Sequence, residues 1–214
     1  MNYILKFVLA FSFLLGSVNV ISSQNSSKDL SVLVDKMFSD VINKDFESLL
    51  DMTHPKVYDI LPRAKMLSVI KMMFEGNEEY SIETAKEAPE YVVSEIYKGK
   101  SNNLEYAFVS YDMDMKMTFK SQEFDDEAIK MMTTMMKAQG MDVEFVSSNT
   151  LEAIVKNSMT ILLKEDATEG KWVLLNYDAD SPLFYQVVSS DLVEKAKKYK
   201  QDLMLVSKKQ SETN

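Results

Sequence analysis

"LEYAFVSYDMDMKMTF", residues 104–119, changes the period of the chain from that of helices to that of a strand. In its second half Val109, Tyr111, Met113, Met115, Met117 and Phe119 fall on one side. Ser110, Asp112, Asp114, Lys116 and Thr118 fall on the other. A period of two places alternate side chains on opposite faces of a pleated strand. One buried face and one wet face belong to an antiparallel sheet covered on one side.

Before this run the apolar residues step by three and four. Leu30, Leu33, Val34, Met37, Phe38, Val41 and Ile42 form one helical stripe within 28–53, and Ser27 is the expected N-cap. "NKDF" (43–46) breaks the stripe, and Phe46, Leu49 and Leu50 restart it on a shorter helix. "THP" ends that helix, because the residue before Pro55 is pushed out of the α region. Pro62 opens a third helix over 63–74, with Met66, Leu67, Ile70, Met73 and Phe74 on one face, and Gly76–Asn77 stops it. "YSIETAKE" and "YVVSEIYKG" read as short strands punctuated by Pro89 and the Gly99–Asn103 cluster.

After the alternating run, "FDDEAIKMMTTMMKAQG" (124–140) reads as a helix with acids in its first turn and Gly140 past its end. Strands follow at 143–146, 150–164 and 171–178. In 150–164, Leu151, Ala153, Val155, Met159, Ile161 and Leu163 share a face with one polar member, Asn157. Ser181–Pro182 opens a helical C-terminal segment, and 207–214 is read as a flexible tail. The fold class is therefore α+β: N-terminal helices packed on a strongly curved antiparallel sheet, an inserted methionine-rich helix and a C-terminal helical segment.

"MNYILKFVLAFSFLLGSVNVISSQ" carries one charge, Lys6, and then an uncharged run from Phe7 to Val18. That is the layout of a secretory signal peptide over 1–23, cleaved after Ser23. The run is shorter than the roughly 20 residues a membrane span needs. The remaining 24–206 is expected as one domain, secreted or periplasmic, without a stable membrane anchor. Removing 1–23 leaves 23 basic against 33 acidic residues, a balance that disfavours nucleic acid as a partner. The chain has no cysteine, which excludes disulfides, thiolate metal sites, cysteine nucleophiles and lipid attachment at an N-terminal cysteine.

The run "DFESLLDMTHPKVYDILPRAKMLSVIKMMF" (45–74) joins a first helix to the strands, and "KWVLLNYD" (171–178) supplies a late tryptophan-bearing strand. In this order of elements, residues 28–178 resemble the nuclear transport factor 2-like superfamily. The resemblance implies a cone, a bent antiparallel sheet wrapped on helices with a pocket between them. Helix 124–139 and the long C-terminal segment depart from the simple pattern, and either one plugs the cone or makes a partner surface. Likeness of fold transfers no function.

Little chemistry stands out. His54, the sole histidine, is the candidate general base, with Tyr58 or Asp59 as its orienting partner; a capping or loop role is the alternative. Tyr111, Met113, Met115, Asn157 and Trp172 are the expected lining of a ligand pocket. Asn157 marks either that pocket or a bulge that bends the sheet. Eight of the sixteen methionines lie between Met113 and Met141. Met113, Met115 and Met117 are candidate Cu(I) ligands, since thioethers are soft donors. Core filling is the preferred reading, with Met131, Met132, Met135 and Met136 on a core-facing stripe. No cofactor is expected. Three functions stand open: a non-catalytic domain binding a small apolar ligand or a protein partner through the pocket or the added helices; a pocket isomerase, dehydratase or hydrolase using His54; and an exported Cu(I)-binding protein.

Overall fold

The computed structural model describes residues 19–100, 102–138, 141–179 and 181–211. Its spine is the alternating run, β4 (Glu105–Phe119), paired antiparallel with an equally long strand, β6 (Thr150–Lys164). Short strands flank this pair in two halves. Along the half holding Glu105 and Lys164, β2 (Tyr91–Val93) and β3 (Tyr97–Lys98) line β4, and β7 (Val173–Asn176) lines β6. Along the other half, β1 (Tyr80–Thr84) lines β4 and β5 (Met141–Ser147) lines β6. Among the described residues all seven strands pair antiparallel in one sheet, with helices before and after it, so the fold is α+β.

The two halves meet at a β-bulge. Tyr111 pairs with Ser158 and Met113 with Val155, so Lys156 and Asn157 together oppose Asp112. Asn157 sits at φ 54°, in the left-handed region that asparagine tolerates better than most residues. Its N–H donates to Asp112 Oδ1 at 2.8 Å, Lys156 Nζ donates to Asp112 Oδ2 at 3.1 Å, and Lys200 Nζ donates to its carbonyl. Of the two roles open to Asn157, the bulge is the one present.

An extra residue reverses the parity of a strand. This overturns the single apolar face read along β6. Leu151, Ala153 and Val155 share a face of the sheet with Thr160 and Leu162, while Met159, Ile161 and Leu163 lie on the opposite face. The half before Asp112 is therefore buried on both sides. Helix α1 (Asn19–Ile42) lays Leu30, Val34, Met37 and Phe38 over Ala107, Val109, Leu162 and Leu174. On the other side Tyr106, Phe108, Ile161 and Leu163 receive Phe184 and Val187 of helix α6 (Pro182–Val187) and Leu192 and Ala196 of helix α7 (Ser190–Ser211). Each buried valine, leucine, isoleucine, methionine or phenylalanine among them contributes roughly 1.5–3 kcal/mol of transfer free energy. One-sided cover, read from Val109 onward, holds only beyond the bulge, since Ser110 is buried. There helix α5 (Asp126–Ala138) covers the methionine face, while Asp112, Asp114, Lys116, Glu152 and Lys156 stay at least partly in water.

The N-terminal helices follow the expected breaks, with two differences. Helix α1 is continuous from Asn19, so Ser27 lies inside it and is not its cap. The expected cleavage position after Ser23 falls in that helix, and residues 1–18 of the expected signal peptide lie outside the described residues. After α2 (Phe46–Asp51) an unexpected short helix, α3 (Lys56–Ile60), follows "THP", because Pro55 itself adopts helical angles. Helix α4 (Arg63–Glu75) starts after Pro62 and stops at Gly76, φ 84°. At the other end α7 runs on to Ser211 because no breaker interrupts it, so the segment read as a tail from 207 continues the helix; residues 212–214 lie outside the described residues, as does Gly140.

Candidate functional site

His54 lies at the corner between α2 and α3, in a segment that docks on β7. Leu174 N donates to Met52 O at 2.7 Å and His54 N donates to Leu174 O at 3.0 Å. The imidazole is 0 % exposed. Its partner is Glu165, at the end of β6, and not Tyr58 or Asp59. Tyr58 turns its hydroxyl to the Leu50 carbonyl, and Asp59 is exposed. Lys56 N–H donates to His54 Nδ1 at 3.3 Å, which leaves the ring proton on Nε2 to donate to Glu165 Oε1 at 3.2 Å. Lys56 Nζ donates to the same oxygen at 2.8 Å. Glu165 is held by the turn that follows: its N–H donates to Thr168 Oγ1 at 3.1 Å, and that hydroxyl donates to Lys171 O at 2.6 Å.

Burial holds the imidazole below its ordinary value; the Glu165 carboxylate pulls upward and the Lys56 ammonium pushes further down. A carboxylate-oriented histidine is the arrangement of a general base. Here both ring nitrogens are engaged within the protein and no edge of the ring meets solvent. The triad ties the α2–α3 corner to the β6–β7 turn. Glu165 lies 111 residues from His54, and no local pattern announces it.

The residues expected to line a pocket do not converge. Tyr111 packs edge-on against Phe38 at 5.0 Å and its hydroxyl meets Thr160 Oγ1 at 3.1 Å, within the cluster under α1. Trp172 joins the same cluster beneath Lys164, whose ammonium is 5.2 Å from the ring centre. Met115 belongs to the α5 cluster. Trp172 stands level with Glu105 and Lys164, so at about 3.3 Å per residue it is about 30 Å along the spine from Met115. Asn157 lies between, on the bulge. A concavity of about 410 Å³ at the β3–β4 turn is lined by Lys98, Lys100, Asn102, Asn103 and Glu105, none of them an expected pocket residue.

The methionines divide. Met115, Met117, Met136 and Met141 pack with Phe119 and Phe145 around Val143, Leu151 and Ala153. Met113, on the same face of β4, is half-buried. Met131 and Met135, read as core-facing, are instead 60 % and 57 % exposed, one turn apart on the solvent side of α5. Methionines at 131, 132, 135 and 136 span too much of the helix circumference for one sheet face to cover them all. No residue of α5 is fully buried. The helix is nonetheless well started, since Asp125 Oδ1 accepts the Ala128 N–H at 2.8 Å and acids fill its first turn.

Among the described residues no three His, Cys, Asp or Glu side chains group as metal ligands, and no helix is long and apolar enough to cross a membrane. Compared with known proteins, the chain matches no family model, no curated protein and no solved structure.

Proposed function

We propose that this chain is an exported, non-catalytic domain of nuclear transport factor 2-like shape that docks the apolar surface of a protein partner on its methionine-bearing half. The N-terminal layout of a charge followed by an apolar run supports export. Helices leading into an antiparallel sheet broken by a bulge support the shape. The docking reading rests on one observation: α5 presents Met131 and Met135 to solvent over a sheet face whose own Met113, Met115 and Met117 are only half-buried. Thioether side chains are flexible and polarisable, so such a surface adapts to apolar partners. Met131 and Met135 lie on the solvent side of α5, an exposed face that suits a protein surface, whereas a small ligand needs a concave site. The enzymatic reading lacks an exposed ring to work with.

A site-specific photo-crosslinker placed at 131, 135 or 114 in cells of the source organism tests the docking reading. An adduct of defined mass from 131 and 135, and none from 114 on the wet face, is the expected result. Equal adducts from all three, or none from any, overturns it.

One observation favours a second reading, capture of Cu(I): Met115, Met117, Met136 and Met141 bring four thioethers from two strands and a helix into one cluster. Titration with Cu(I) in the presence of a competing chelator decides it, and no uptake removes it.

A further inference from the structure

The hydrogen bonds around His54 leave one place for a second ring proton, and that place is occupied. Nδ1 already accepts the Lys56 N–H at 3.3 Å. A proton on Nδ1 sets two donors against each other at that distance, so the first turn of α3 must move. The new imidazolium also stands beside the Lys56 ammonium, with both cations directed at one oxygen of Glu165. Glu165 and Lys56 are the charges that act on the ring, and the other charged groups of the adjoining segments have partners of their own. β7 carries no titratable group, Asp166 accepts from Asn103, Lys171 pairs with Glu169, and Glu47 and Asp51 of α2 pair with Arg63. Lys56 and Glu165 are therefore the charged groups that face His54.

We propose that His54 is an acid-released latch, whose protonation frees α3 and the segment 52–57 from β7 and the β6–β7 turn. Two features place apolar surface beneath the latch. Val57, next to Lys56, is 1 % exposed and inserted in the cluster that holds Met159 and Phe184, and α3 leans on α6. Release of the first turn uncovers that surface. The inference stands on the His54 geometry alone and is independent of the docking face on α5.

The latch predicts a particular coupling. His54 stays neutral in the closed state at pH values where a free imidazole is already charged, because burial opposes its charge. Its titration then reports opening.

As the only histidine, His54 gives one imidazole signal in the spectrum of the full chain, and this can be followed by NMR together with amide exchange. The expected result is a midpoint below 6.5, with amide protection at His54, Val57 and Leu174 lost over the same pH range. Lys56→Met removes the opposing cation and moves the midpoint up. Glu165→Gln removes the supporting carboxylate and moves it down. A wild-type midpoint at or above 6.5, or titration with protection retained, overturns the latch, as do variants that shift the midpoint in the same direction. Should a variant fail to fold, the wild-type comparison of midpoint and protection decides alone.

Discussion

Replacing Asp112 by alanine removes the side chain that holds the bulge joining the two halves of the sheet. Its Oδ1 accepts the Asn157 N–H at 2.8 Å, and a hydrogen bond to a charged acceptor contributes about 1.5–3 kcal/mol when well shielded. The Asp112 side chain is 47 % exposed, so water takes over part of that role, and about 1–2 kcal/mol remains. The Lys156 pair at 3.1 Å is exposed and adds no more than about 0.5 kcal/mol. With a urea dependence of about 2 kcal/mol per molar, Asp112→Ala should lower the unfolding midpoint by about 0.5–1 M at constant slope. Asp114→Ala, two residues on and exposed, should shift it by less than about 0.3 M. Asp112→Asn keeps an acceptor and should recover at least half of the loss. Asn157→Gly suits the left-handed backbone and should be neutral or stabilising, whereas Asn157→Ala should cost about 1–2 kcal/mol. Indistinguishable midpoints for the two aspartate variants, or a glycine variant less stable than the alanine one, would refute the bulge as the organising joint.

Other outcomes follow from burial, strain and charge. Leu162→Ala in the two-sided half should cost about 2–5 kcal/mol by urea unfolding, while Met135→Ala should stay within about 0.5 kcal/mol. At Gly76 an added Cβ would lie 2.2 Å from the Tyr80 carbonyl oxygen with φ at 84°, so Gly76→Ala should destabilise by more than about 1 kcal/mol in the same assay. The His54 pKa is lowered on folding, so the unfolded chain binds its proton first. Stability from this group is full above pH 6.5 and falls as pH drops below it, by up to about 1.4 kcal/mol per pH unit until the folded state also protonates. Thermal unfolding of wild type and His54→Leu should accordingly differ in slope between pH 7 and pH 5, the variant losing less.

What the chain reveals without coordinates is its local periodicity. The strand at 104–119, the breaks at "NKDF" and "THP", and the stop at Gly76–Asn77 each rest on neighbours within a few residues, and each appears in the fold. Asn157 was legible as an anomaly on an apolar face, but its consequence was not. Whether one polar residue fills a pocket or inserts a bulge depends on the partner strand, and the bulge reversed every side chain beyond it. Glu165 was illegible for the same reason at longer range: a buried carboxylate meets its histidine only after the β6–β7 turn has docked on the α2–α3 corner. The methionine helix fails differently. Adjacent pairs at 131–132 and 135–136 define two stripes, and the choice of which one faces the sheet belongs to the packing of β4 and β6.

If Met131 and Met135 form a partner surface, peroxide footprinting read by mass spectrometry will find them covered wherever the partner is present. Peroxide converts an accessible thioether to its sulfoxide. In the purified protein Met131, Met135 and Met204, all more than half exposed, should oxidise readily, and buried Met159 should resist. In the protein's native surroundings, before purification, Met131 and Met135 should be protected while Met204 on α7 oxidises as before. Equal oxidation of Met131 and Met135 in both settings would show that no partner covers α5.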